Sequence, residues 1–142
     1  MAAHAPVRYL LRARDEIDAR YAEPLTVAHL AAVAGASPAH FSREFRRAFG
    51  ETPHRYLLTR RLERAATLLR ITDRTVVDIC HLVGLSSVGS FTTSFRRMYG
   101  LTPTEYRRTF PPAIAPIPAC YVRAYGRQQN RSFREDPAPP PA

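Results

Sequence analysis

The side chains with the greatest capacity for chemistry in this sequence are arginines. All 21 basic residues are Arg and none is Lys, and the formal net charge is +9. A planar guanidinium binds phosphate or a guanine edge through two parallel hydrogen bonds, so this balance favours an anionic partner, either nucleic acid or an acidic membrane surface. A GC-rich coding sequence, which favours Arg codons, is an equally open explanation for the missing Lys.

Groups for catalysis or metal binding do not assemble into a recognisable pattern. His29, His54 and His81 have no Cys or Asp partner at the spacing of a zinc site or a nucleophilic triad. Cys80 and Cys120 form neither a CxxC motif nor a disulfide framework, as expected in a reducing cytoplasm. We therefore predict no enzyme activity, no cofactor and no metal site.

Neither export nor membrane insertion is indicated. The N-terminus lacks the basic segment and apolar run of a signal peptide, and no apolar stretch approaches the roughly 18 residues of a membrane span. We expect a soluble cytoplasmic protein, associated with the nucleoid and without a membrane partner.

An internal repeat organises the elements that carry the arginines. Seven residues recur 50 positions later in the chain: Phe41, Phe45, Arg46, Arg47, Gly50, Thr52 and Pro53. Upstream the offset is 49, as from Gly35 to Gly84. One residue has therefore been inserted in the second turn, between Gly84 and the helix that follows it. Each copy has a short helix, a turn with Gly, and a second helix, which is the layout of a helix-turn-helix. Ala31 and Cys80, four residues before each Gly, are small enough to let the two helices approach.

The prediction is therefore an all-α fold of about seven helices. Residues 1–110 form a tandem helix-turn-helix DNA-binding domain, with a first unit over about 7–52, a linker helix over about 53–71 and a second unit over about 72–110. Eight of the thirteen prolines lie in residues 111–142, which we expect to be a partly disordered tail.

Caps and apolar stripes refine these helices. The predicted N-terminal caps are Thr26, Ser37, Thr52, Thr75, Ser86 or Ser87, and the capping box Thr102 to Glu105. The predicted apolar stripes contain Val7, Leu10, Leu11, Ile17 and Tyr21; Phe41, Phe45, Ala48 and Phe49; and Leu58, Leu62, Ala65 and Leu69.

The second helix of each unit fits a DNA reader. Its outer face carries small polar residues early, where a helix approaches base edges, and the pairs Arg46-Arg47 or Arg96-Arg97 late, where they reach phosphates. A linker helix of about 19 residues spans roughly 28 Å, and adjacent major-groove faces lie about 34 Å apart. The length therefore permits two adjacent major-groove segments on one face of the duplex, an asymmetric site bound by a monomer. The alternative is a helical protein-interaction module without specific DNA binding.

The repeated pattern Gly-x-Ser…Phe…Phe-Arg-Arg…Phe/Tyr-Gly-x-Thr-Pro resembles the DNA-binding domain of the AraC/XylS family of bacterial transcription regulators. The likeness covers about Val7 to Phe110 and is strongest from Val83 to Tyr106. It implies base contacts from the first half of each recognition helix. The matching positions are Ala39, His40, Ser42 and Arg43 in the first unit and Val88, Gly89, Thr92 and Thr93 in the second.

These positions predict unequal readout. Arg43 is the best candidate for a bidentate contact with guanine. Many members of the family have long polar side chains where this chain has Val88, Gly89 and Thr93. The second unit offers thymine-methyl contacts and hydroxyl bonds, and depends more on phosphates and DNA shape. The resemblance also implies a stand-alone domain that activates transcription by contacting RNA polymerase, although repression occurs in the family as well.

Overall fold

The computed structural model describes residues 7–110, and within this range all regular structure is helical. The helices are α1 Val7–Arg20, α2 Val27–Val33, α3 Pro38–Phe49, α4 Pro53–Ile71, α5 Val76–Leu82, α6 Val88–Tyr99 and α7 Pro103–Thr109. The prediction of an all-α fold with seven helices is confirmed for this part of the chain. The predicted Pro-rich tail over 111–142, including Cys120, lies outside the described residues.

The helices begin where the sequence places hydroxyl caps. Each capping oxygen accepts a hydrogen bond from the backbone N–H three residues later, at Thr26, Ser37, Thr52, Thr75, Ser87 and Thr102. Ser87 rather than Ser86 caps α6. The box is complete, because the Glu105 carboxylate accepts the Thr102 N–H at 2.9 Å. That backbone hydrogen bond lowers the pKa of Glu105.

Both interhelical turns use the left-handed backbone that favours glycine. Gly35 has φ of 68° and Gly84 has φ of 89°. Ala31 and Cys80, at 1% and 0% exposure, lie where α2 and α5 approach the following helices, as predicted. The Cys80 thiol contacts the Leu85 carbonyl oxygen at 3.6 Å, and burial raises its pKa.

The chain forms two compact units, divided between Arg60 and Arg61 within α4. The core of the first unit is built from α1, α2, α3 and the start of α4. Its buried side chains are Leu10, Ala13, Ile17, Leu30, Ala31, Ala34, Phe41, Phe45 and Leu57. The Phe45 ring contacts Phe49 at 4.6 Å and Tyr56 at 5.6 Å between centroids, both edge to face.

Three stripe assignments were wrong. Val7 is 62% exposed, because it lies one turn before the first core residue of α1. Ala48 is exposed, because Phe49 continues the i, i+4 series of Phe41 and Phe45. Leu57, at 6% exposure, belongs to the first core, while Leu58 is only half-buried.

A polar cluster ties α1 to α4 in the first unit. The Tyr56 hydroxyl donates to the Asp18 carboxylate at 2.9 Å, and the Arg60 Nε donates to the same oxygen at 2.9 Å. The Arg60 guanidinium also lies 5.1 Å from the centre of the Tyr56 ring. Burial, more than any neighbouring charge, raises the pKa of Tyr56. Arg60 is thus ion-paired with Asp18 inside the first unit.

The second unit repeats this core with the later part of α4 in the place of α1. Leu10, Ala13 and Ile17 of α1 have counterparts 52 residues on, Leu62, Ala65 and Leu69, and all six are buried. The repeat therefore begins earlier in each unit than the helix-turn-helix itself. Phe91 and Phe95 are buried to 1% and 0% exposure. The Phe95 ring meets Tyr106 edge to face at 5.3 Å, as Phe45 meets Tyr56.

One contact of the second unit has no counterpart in the first. The Arg107 guanidinium donates to the carbonyl oxygens of Leu69 at 3.0 Å and Thr72 at 3.3 Å, at the C-terminal end of α4. A cation there satisfies carbonyls that the helix itself leaves open. The matching position 50 residues earlier is Leu57, a core residue.

Candidate nucleic-acid interface

The outer face of α3 carries the residues predicted to read DNA in the first unit. Phe41, Glu44 and Phe45 face inward. Ala39, Arg43, Arg46 and Arg47 are exposed, and His40 and Ser42 are half-buried. The structure thus brings these six residues together on one helix, turned away from the core.

Arg43 is an exposed cation near the middle of this face. Among residues 7–110 its guanidinium forms no hydrogen bond and no ion pair, so its five N–H donors have no partner in this part of the chain. It lies one helical turn after Ala39, whose small side chain leaves the start of the helix unobstructed. Such a group can make two parallel hydrogen bonds with guanine O6 and N7.

Arg47 differs from Arg43 because it has an acidic neighbour. Its guanidinium lies 3.4 Å from the Glu44 carboxylate, which is only 11% exposed, while Arg47 itself is 68% exposed. Glu44 was not among the predicted site residues. Its i, i+3 spacing to Arg47 was the signal in the sequence that could have identified it.

His40 contributes less than its position indicates. The Nε2 atom of its ring is covered by protein. A base contact from this nitrogen would require the ring to turn, so Nδ1 is the ring atom that remains for a contact in this conformation.

The outer face of α6 holds the residues predicted for the second unit. Phe91 and Phe95 face inward. Gly89, Thr93, Arg96 and Arg97 are exposed, and Val88 and Thr92 are half-buried. The distribution of exposed and buried positions follows that of α3, although the side chains differ.

Thr93 is bound to its own helix. Its hydroxyl donates to the carbonyl oxygen of Gly89, one turn earlier, at 3.0 Å. With its proton engaged, the Thr93 oxygen can accept a hydrogen bond but has none to donate. The hydroxyl bond expected from Thr93 is therefore limited to one that its oxygen accepts.

The 50-residue offset pairs the two faces position by position. Ala39 matches Gly89, Arg43 matches Thr93, Glu44 matches Ser94 and Arg47 matches Arg97. Arg97 is exposed and, within the described chain, forms no ion pair, whereas Arg47 has one. At these matched positions the first face therefore offers the guanidinium donors of Arg43 and a partly neutralised Arg47. The second offers the Thr93 oxygen and methyl group and an Arg97 without an ion pair.

Other kinds of site are not built in the described part of the chain. Residues 7–110 contain no group of three His, Cys, Asp or Glu side chains placed to hold a metal ion. The His29 ring contacts the Glu16 carboxylate at 3.3 Å, in a surface cluster with Arg20. No helix in this range is both long and apolar enough to cross a membrane.

Known proteins share this arrangement of helices. Residues 30–109 match the family described as "Helix-turn-helix domain". The crystal structure of the DNA-binding domain of AdpA in complex with a target DNA is similar, with a TM-score of 0.69 and 30% identity over 72% of this chain and 92% of that chain. A probable AraC family transcriptional regulator from Rhodopseudomonas palustris superposes with a TM-score of 0.68 at 28% identity, over 74% of this chain and 99% of that one.

The chain belongs to the AraC/XylS family.

Relatives in this family extend the comparison. The probable transcriptional regulator LumQ of Photobacterium leiognathi is 35% identical over 91 residues, which are 64% of this chain and 37% of LumQ. The right origin-binding protein of Escherichia coli K12 is 36% identical over 87 residues, 61% of this chain and 30% of that protein. This AraC/XylS chain thus spans between 13% and 37% of the length of these and other curated relatives. It carries the DNA-binding domain of a transcription regulator, in a family not known for enzyme activity.

Proposed function

We propose that this protein is a transcription regulator that binds a specific DNA sequence with α3 and α6 as its recognition helices. The observation that carries the proposal is Arg43, an exposed guanidinium without a protein partner among residues 7–110, on the face of α3 opposite the buried Phe41 and Phe45. A cation left open in this place offers all its donors to a base edge. The net charge of +9 supports an anionic partner.

The proposed roles divide each face along its helix. Ala39, His40, Ser42 and Arg43, with Val88, Gly89, Thr92 and Thr93, face the bases. Arg46, Arg47, Arg96 and Arg97 face the phosphates, because they lie in the last turns of α3 and α6.

The two recognition helices read adjacent major-groove segments on one face of the duplex, as a monomer on an asymmetric site. The support is the length of α4, 19 residues and therefore about 28 Å, against a DNA repeat of about 34 Å. A relative of known structure, AdpA, has its DNA-binding domain in complex with a target DNA.

We further propose that the bound protein contacts RNA polymerase and activates transcription from the cytoplasmic nucleoid. Support comes from relatives named as transcription regulators, including LumQ and the Escherichia coli DNA-binding transcriptional dual regulator. Run-off transcription with purified RNA polymerase on the selected site measures the sign: activation raises the transcript yield, and a fall in yield identifies a repressor.

In vitro selection from random duplexes, with the full chain, tests specific binding. We expect an enriched asymmetric site, a 1:1 complex by sedimentation, and an affinity that falls steeply with salt while the preference over random DNA remains. Binding without any enriched sequence, or no binding at all, would overturn the proposal and favour the protein-interaction module. A scrambled selected site of equal composition is the matched control for sequence preference.

A further inference from the structure

We propose that Gly89 and Thr93 form a base-reading face that selects an A·T pair by close approach and methyl contact, and that disfavours guanine. This rests on the proposed DNA binding and specifies what the second recognition helix reads. Arg43, at the position matching Thr93, would read guanine with donors. The two units would then recognise different base pairs, G·C and A·T, through matching positions of their recognition helices, Arg43 in α3 and Thr93 in α6.

The first step concerns the Thr93 hydroxyl. The bond to the Gly89 carbonyl, at 3.0 Å, engages the hydroxyl proton and holds the side chain in one rotamer. Thr93 is exposed, so a methyl group and an acceptor oxygen remain for a ligand. A hydroxyl whose proton is already engaged is a poor match for phosphate oxygens, which accept hydrogen bonds only.

The second step concerns base edges in the major groove. Thymine presents a C5-methyl group, and its adenine partner presents the N6 amino donor. The Thr93 methyl and oxygen complement this pair. Guanine presents two acceptors, N7 and O6, against which an acceptor oxygen is repelled. The Thr93 oxygen can accept from adenine N6 or from cytosine N4, so the preference for A·T over G·C comes from the thymine methyl, and the acceptor oxygen adds the discrimination against guanine.

The third step concerns Gly89, which the protein's own fold does not require. Its backbone is helical, without a positive φ, and a Cβ placed there would come no closer than 4.0 Å to its nearest neighbour, Ser87 Oγ. Glycine within a helix is less stable than alanine. What glycine offers at this exposed position is closer approach of an external surface, and it brings the short Thr93 side chain within reach of a base.

The test of Thr93 uses paired changes in protein and DNA. Thr93→Val keeps a methyl group and removes the hydroxyl, whereas Thr93→Ser keeps the hydroxyl and removes the methyl. Replacing the thymine by deoxyuridine removes the partner methyl. We expect deoxyuridine to weaken binding about four-fold, the effect of one buried methyl, in the wild type and in Thr93→Val but not in Thr93→Ser. Equal sensitivity of all three proteins to deoxyuridine would overturn the methyl contact.

The test of Gly89 separates binding from folding. Gly89→Ala should raise the melting temperature while weakening binding to the selected site. Ala39→Gly, the matched change in the first unit, should lower the melting temperature without relaxing the selected base at the Arg43 position. A Gly89→Ala variant that is more stable and binds equally well would overturn the close-approach argument.

Failure of this inference is distinguishable from failure of the proposed function. If the wild type enriches no sequence, the proposed function itself is wrong. If it enriches a site whose second half shows G·C or no preference at the position that Thr93→Ser relaxes, DNA binding stands and the A·T assignment is wrong.

Discussion

The two recognition helices share an inner face and differ on the outer one. In α3 and α6 two phenylalanines at i and i+4 are buried to 1% exposure or less. Both helices end at a left-handed glycine, Gly50 or Gly100. On the outer face, Arg43 is replaced by Thr93 and Glu44 by Ser94. The helix geometry explains this independence, because packing constrains about one side of a helix and leaves the other open to change.

The outer faces of α3 and α6 differ more in their available hydrogen-bond donors than in the size of their side chains. Arg43 offers unengaged donors, while the Thr93 proton is already bound to Gly89. Glu44 draws Arg47 toward its own helix, while Ser94 leaves Arg97 without a carboxylate on α6. The first unit is therefore expected to contribute more to base readout, and the second more to the phosphate contacts.

The largest expected effects test the shared inner face. Phe45→Ala and Phe95→Ala should each destabilise the affected unit by about 3–5 kcal/mol, since each removes a fully buried ring from an aromatic cluster. Urea denaturation followed by circular dichroism measures this. Arg46→Ala and Arg96→Ala, at exposed positions of the same helices, are the controls and should change stability little. A much smaller loss of stability for one of these two variants would show that the cores of the two units are not equivalent.

The next effect tests the outer faces. Arg43→Ala should weaken binding to the selected site by roughly 1–3 kcal/mol and relax one base position. Thr93→Ala should lose about 1–2 kcal/mol, the contribution of one methyl group and one accepted hydrogen bond, without the relaxed guanine position. Titrations at one fixed salt concentration compare them. Substituting 7-deazaguanine at the Arg43 position should weaken the wild type but not Arg43→Ala. Equal losses for the two variants on all sequences would reassign Arg43 to phosphate.

A smaller effect distinguishes the late arginines. Loss of one phosphate contact lowers the slope of log affinity against log salt by about 0.9. Arg97→Ala should show this full reduction and Arg47→Ala less, because Glu44 already neutralises part of the Arg47 charge. Glu44→Ser should increase the first unit's contribution to this salt dependence, and Ser94→Glu should decrease the contribution of the second unit. Identical slopes for the two arginine variants would contradict the asymmetry.

The smallest expected effect is a loss of folding stability at acid pH. Burial raises the pKa of Glu16, but the hydrogen bonds from Arg20 and His29 outweigh it, so its folded pKa lies below 4.5. The pKa of Glu105 is lowered chiefly by the Thr102 N–H. Because both pKa values are depressed on folding, their contributions to stability are present above pH 4.5 and are lost as the pH falls through the folded values.

Melting temperatures between neutral and acid pH measure these two contributions. Glu16→Gln and Glu105→Gln should each flatten the acid limb. Added salt should weaken the Glu16 contribution, which comes from separate side chains, more than that of Glu105, which comes from its own capping box. A Glu16→Gln variant with an unchanged acid limb would show that the surface cluster adds nothing to folding.

Much of the helical fold could be predicted from local sequence patterns. The caps, the turn glycines and the phenylalanine pairs were predicted, because each depends on a few residues at fixed helical spacing. The errors at Val7, Ala48 and Leu58 lie near helix ends or beside a buried neighbour, where periodicity alone does not say which residue meets the core. The equivalence of α1 with the later part of α4 was missed, because its three shared apolar positions recur at a different offset, 52.

The sequence by itself determined the fold and the tandem repeat, since helical periodicity depends on local spacing without reference to other elements. The twelve candidate residues come from the family resemblance and the outer-face arginine pairs, and they stay a prediction. Only the tertiary structure decided which of their polar groups remain available. It showed Glu44 beside Arg47, the Thr93 proton bound to Gly89 and the Nε2 of His40 covered. The physical reason is that a hydrogen bond requires a particular distance and direction between two atoms. Side-chain rotamers and packing set these, and residue spacing alone does not.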